Sequence, residues 1–123
     1  MNKLIIFLLL SITLASCGIA INTMNTQNRL NLRKIEIGMT KDEVNEIMGT
    51  EIYSYWEYSN PHKREQFYAN DGKVIEIYYY YISKKADTEN ERFSPVLFAD
   101  NIVEGVGWRS FEKAISKYEL NIK

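Results

Sequence analysis

Residues 37–50 read "IGMTKDEVNEIMGT", a segment that carries its own start, apolar stripe and stop. Thr40 is a good helix N-cap and Glu43 lies three residues on, the spacing of a capping box that satisfies two orphan N–H groups reciprocally. Met39 before the cap and Val44 at the fourth helical position have the spacing of a hydrophobic staple. Asp42 and Glu43 put negative charge at the positive end of the helix dipole. Val44, Ile47 and Met48 form an apolar stripe, and Gly49 suits a left-handed C-cap. All of these features start, stop or dock a two-turn helix. None is a nucleophile or a ligand set, so the block is scaffold.

Downstream, the pattern changes to strands. "EIYSYWEYS" (51–59) is rich in aromatics and is broken by Asn60-Pro61. "REQFYA" (64–69) leads into Asn70-Asp71-Gly72, a hairpin signal, and "KVIEIYYYYIS" (73–83) is the longest strand expected. After the polar loop "KKADTENERFS", two more strands are expected in "PVLFAD" (95–100) and "IVEGVGW" (102–108), joined near Asp100-Asn101. At the C-terminal end, Phe111, Ala114, Ile115 and Tyr118 recur at i, i+3, i+4 and i+7, and Ile122 returns to that face while Leu120 falls off it. The spacing predicts a helix over 110–119 capped by Ser110. Upstream, a helix is expected over 27–35, with Leu30, Leu32, Ile35 and Ile37 as apolar contacts, although the same spacing partly fits a strand. Short turns between strands imply an α+β domain over 28–123, an antiparallel sheet of about four to five strands with helices on one face.

The N-terminal residues read "MNKLIIFLLLSITLASCG". Lys3 is followed by an apolar run from Leu4 to Leu14, short of the ~20 residues that cross a bilayer as a helix. These are the dimensions of a secretory signal. The ending Leu14-Ala15-Ser16-Cys17 resembles the lipobox of bacterial lipoproteins, which implies cleavage between Ser16 and Cys17 and acylation of Cys17. A plain signal with an incidental cysteine, or a buried free thiol, is the alternative. Two or more acyl chains on Cys17 would hold the protein on membrane lipid without a spanning helix. Residues 17–27 then form a lipidated end and tether, reaching at most ~35 Å. Gly18 stands where an aspartate retains Gram-negative lipoproteins in the inner membrane. By that resemblance, the expected location is the periplasmic leaflet of the outer membrane if the envelope is Gram-negative, and the outer face of the plasma membrane otherwise.

Composition narrows the chemistry. Lys3 is the only one of the 15 basic residues in the signal, so the processed chain keeps a small excess of its 16 acidic residues. With no basic block and an envelope address, no nucleic-acid partner is expected. Cys17 is the single cysteine, so no disulfide forms within the chain. His62 is the single histidine, in the polar turn "NPHKRE", and reads as a surface residue. No histidine- or cysteine-based metal site, no catalytic residue and no cofactor is expected.

The block Gly38-Met39-Thr40, Val44, Met48-Gly49-Thr50, then Trp56 and Tyr58, then "FYANDGKVIEI", resembles the SmpA/OmlA (BamE-like) superfamily of small periplasmic lipoproteins. Glu51 departs from the proline usual there. "SPVLFADNIVEGVGW" is similar to a related uncharacterised lipoprotein family. The resemblance implies two short N-terminal helices on a curved sheet, and a role in outer-membrane assembly or integrity through another envelope protein. Comparable units occur in a proteinaceous β-lactamase inhibitor, so an inhibitor, or a carrier or sensor of an apolar ligand, stays open.

In 73–83, alternation places Ile75, Ile77, Tyr79 and Tyr81 on one face and Val74, Glu76, Tyr78 and Tyr80 on the other. If the isoleucine face packs on the helices, Tyr78 and Tyr80 join Tyr53, Tyr55 or Phe67 in an exposed aromatic patch suited to a partner. Ordinary cross-strand packing, or cover from the C-terminal helix, is the alternative.

Overall fold

The computed structural model describes residues 24–50, 52, 53, 58–84 and 87–122; Ser16, Cys17 and Tyr55 lie outside them. Helix α1 occupies residues 24–32, ahead of the expected 27–35, and Met24 and Asn25 in the stretch read as tether are already buried. Helix α2 (Lys41–Met48) follows its sequence closely: the Thr40 hydroxyl accepts from the Glu43 N–H at 3.1 Å, and Met39 and Val44 share one apolar cluster. Gly49 ends it with a positive φ of 78° but an extended ψ of 165°, rather than the left-handed pair of angles expected.

The segment expected as one strand over 51–59 instead folds on itself. Strands β1 (Ile52–Tyr53) and β2 (Tyr58–Ser59) pair antiparallel in a sheet of their own. Among the described residues the main sheet has four strands and no fifth: β3 (Lys63–Tyr68), β4 (Val74–Tyr81), β5 (Phe93–Ala99) and β6 (Ile102–Val106), antiparallel in that order. The place beside the hairpin end of β6 is already taken. Residues 38–40 run along its outer edge, where the Gly38 N–H donates to Val103 O at 2.9 Å and the Val103 N–H donates to Met39 O at 2.8 Å. One bridge, Thr40 to Ile102, joins them.

The turns follow their chemistry. Between β3 and β4 the Gly72 N–H donates to Ala69 O, and Gly72 takes a φ of 88°. Between β5 and β6, Asp100 and Asn101 both hold positive φ, 47° and 67°, as a two-residue hairpin loop demands. The polar loop contains one unforeseen turn of helix, α3 (Glu89–Arg92), capped by Thr88.

Helix α4 (Trp108–Tyr118) begins two residues before the expected start. Gly107 occupies the N-cap without a side-chain bond, and Ser110 lies inside the helix, facing Gly105. Glu119 adopts the left-handed conformation and the Leu120 N–H donates to Ile115 O. That reversal carries Leu120 into the core, so the residue that falls off the helical stripe is buried by the cap instead.

The helices lie on both faces of the sheet, not one. Val44, Met48 and Ile35 pack on Tyr78, Tyr80, Val96, Phe98 and Val103. Ala114, Tyr118 and Leu120 pack on Ile75, Ile77, Tyr79 and Leu97. Strands β4 and β5 thus alternate between two apolar clusters. The first cluster is pinned at its rim by the Lys41–Glu76 ion pair, with the Lys41 ammonium 5.8 Å from the Tyr78 and Phe98 ring centres.

Candidate functional site

Of the two readings for Tyr78 and Tyr80, an exposed patch or ordinary packing, they take the packed one. Tyr78 is 4% exposed and Tyr80 0%, because α2 covers the face that was to be open. Phe67 pairs with Ile75 and packs on the opposite face, among the residues beneath α4. The motif residues Met39, Val44 and Met48 meet Tyr78 and Tyr80 in one cluster, as core. Burial, and after it the neighbouring Tyr78, push the Tyr80 hydroxyl far above the ordinary tyrosine range.

With both faces covered, the sheet offers its β3 edge. The Ala69 N–H donates to Lys73 O at 2.9 Å, and the register places Phe67, Glu65 and Lys63 opposite Ile75, Ile77 and Tyr79. In an antiparallel ladder these residues turn their backbone groups toward β4, so Arg64, Gln66 and Tyr68 turn theirs outward. No strand of the described residues pairs with that side. Arg64 lies over the Tyr78 ring at 5.0 Å, and Tyr68 is 76% exposed.

The second feature is a cleft of about 390 Å³ between β3, β4, the start of β5 and α4. Its walls are aromatic: Tyr79 and Trp108 have ring centres 5.9 Å apart, Trp108 and Phe111 5.1 Å, and Tyr79 and Phe111 6.4 Å. Trp108 is fixed by its indole N–H, which donates to the carbonyls of Asn90 and Phe93. At the mouth, half-buried His62 stacks on Phe93 with centres 4.9 Å apart, so it is a wall of the cleft rather than a free turn residue. The polar groups include Lys63, Glu65 and Glu112, with Lys63 Nζ 2.8 Å from the Glu65 carboxylate. Sequence reasoning placed Tyr79 and Phe111 on apolar faces but put Trp108 in a strand. Gly107 was the available signal, since a glycine there can end β6 and free the next residue to start a helix.

A smaller cavity of about 260 Å³ lies between β6 and α4. Its carboxylate, Glu104, already accepts from Lys117 at 2.7 Å and from the Tyr118 hydroxyl. Burial, reinforced by that bond to Glu104, raises the Tyr118 hydroxyl above its ordinary range. On the far side of the sheet, Asn28 and Asn60 exchange amide hydrogen bonds, 3.0 Å in each direction. Asn28 also donates to Tyr81 O and Asn60 to Met48 O. This buried network ties α1, α2 and β4 together and is fully engaged in doing so. Among the described residues, no three histidine, cysteine, aspartate or glutamate side chains gather to hold a metal, and no helix is long and apolar enough to cross a membrane. No protein-family model, curated protein or solved structure matches the chain.

Proposed function

We propose that this is a lipid-anchored envelope protein, held by acylated Cys17, that works by binding another envelope protein rather than by catalysis. The observation that carries the reading is the open β3 edge, where the backbone groups of Arg64, Gln66 and Tyr68 are directed outward while both faces of the sheet are covered. A partner strand laid along this edge gains main-chain hydrogen bonds without disturbing either core. The finer assignment, a SmpA/OmlA-type fold supporting outer-membrane assembly, draws its support from the Gly38-Met39-Thr40 motif at the start of a capped helix.

A photo-crosslinking residue in place of Gln66, used in intact membranes, tests the docking surface. β-Barrel assembly components should be captured from position 66 and not from Ser116 on the exposed side of α4. Capture from 116 alone would sink the β3 assignment, and capture of a single soluble hydrolase would favour an inhibitor. Cys17→Ala should abolish acyl labelling and release the protein from membranes; retained labelling would remove the anchor. The cleft favours one second reading, a carrier of an apolar ligand, for which tightly held lipid in the purified protein would be the evidence.

A further inference from the structure

We propose that the cleft beneath α4 is a binding site for an alkylammonium group, carried by a free small molecule or by a lipid headgroup. Three observations point there. First, the rings of Tyr79, Trp108 and Phe111 are inclined to one another by 39°, 59° and 72°, so they form a corner rather than a stack and all border the same space. Trp108 and Phe111 meet edge to face, and the Tyr79 face is the one that lies under a cation, the interaction by which aromatic sites hold quaternary ammonium ions. Second, the charged residues of the cleft are two carboxylates, Glu65 and Glu112, against one ammonium, Lys63, leaving one negative charge in excess. Third, the protein already places a cation there: Lys63 Nζ lies 5.4 Å from the Tyr79 ring centre while paired to Glu65. Lys63 is largely exposed, and an exposed ion pair contributes little. It can swing out at small cost when a better-fitting cation enters. The volume of about 390 Å³ exceeds a trimethylammonium head and suits a ligand with a short appended chain.

The site goes beyond the protein-binding role and does not depend on it. The test uses the full-length chain in a non-ionic maltoside detergent, titrated calorimetrically with choline chloride at constant ionic strength. The neutral isostere 3,3-dimethylbutan-1-ol is titrated in parallel. Choline should bind saturably and about tenfold more tightly than the isostere, because only the cation gains from the rings and carboxylates. Lys63→Met removes the internal competitor and should tighten choline. Glu112→Gln should weaken it, and Phe111→Leu should weaken it about two- to thirtyfold, the span of one cation–π contact. The opposite signs at 63 and 112 are the signature of the site. Dihexanoylphosphatidylcholine below its micellar concentration separates the sources: tighter binding than choline identifies a headgroup, and equal or weaker binding a free cation. Absent binding, equal binding of the isostere, or Lys63→Met weakening choline would each overturn the proposal. Equal binding of the isostere would leave an apolar cavity of the kind a carrier uses.

Discussion

Tyr80 illustrates how much one side chain can decide. It is fully enclosed, and among the described residues its hydroxyl meets no hydrogen-bond partner. A buried hydroxyl without a partner costs about 1–3 kcal/mol. Tyr80→Phe should therefore leave stability at pH 7 unchanged or raise it by about 1 kcal/mol, as measured by urea unfolding; a loss of more than about 1 kcal/mol would reveal a partner for the oxygen. The same residue shapes the alkaline limit. Because the folded state holds the phenol protonated beyond the ordinary value of about 10, this contribution is complete below pH ~10 and declines above it, as the unfolded chain releases its proton. Tyr80→Phe should flatten the fall in unfolding free energy between about pH 10 and 11.5. A fall as steep as that of the native chain would remove Tyr80 as its cause. Asn28→Ala acts with the opposite sign: it leaves the Asn60 amide oxygen without its donor and should cost about 1–3 kcal/mol. The alternation of tyrosines along β4 was legible in the sequence, with packing as one of two readings, whereas the choice between packing and exposure was not. A tyrosine suits both a core and a wet surface, and only a second layer of helix decides between them.

Among the elements, legibility followed local chemistry. The cap, staple and stripe of α2 and the turns at Asn70-Asp71-Gly72 and Asp100-Asn101 are contained within a few residues each, and they formed where expected. The pairing of 51–59 with itself, the side of the sheet taken by α4 and the entry of Leu120 depend on distant partners, which composition does not encode. Gly105 marks where β6 and α4 meet most closely: a Cβ placed there would lie 2.5 Å from the Ser110 Cβ. Gly105→Ala should push α4 outward and cost about 1–3 kcal/mol. Ser110→Ala keeps the offending carbon and should not rescue it. Ser110→Gly should, giving a favourable coupling in a double-mutant cycle; additivity of the two would place the strain elsewhere. Gly72 is a contrasting case, with open space around it and a φ of 88°. Gly72→Ala should cost about 1 kcal/mol through backbone strain alone, visible as a lower midpoint of thermal unfolding.

Across the whole molecule, the sheet is a partition between two separate cores, one capped by α1 and α2 and the other by α4. The cleft opens into the α4 side, formed by parts of β3, β4, α3, β5 and α4, and for that reason no single motif announced it. The two lateral margins of the sheet are unlike. Residues 38–40 consume hydrogen-bonding groups of β6, while the margin along β3 stays available. The β3 margin can accept a foreign strand, or pair with one twin across a two-fold axis, whereas the hairpin end of β6 can do neither. The Gly38-Met39-Thr40 motif, which begins as the start signal of a helix, therefore also keeps a foreign strand from pairing along residues 101–103.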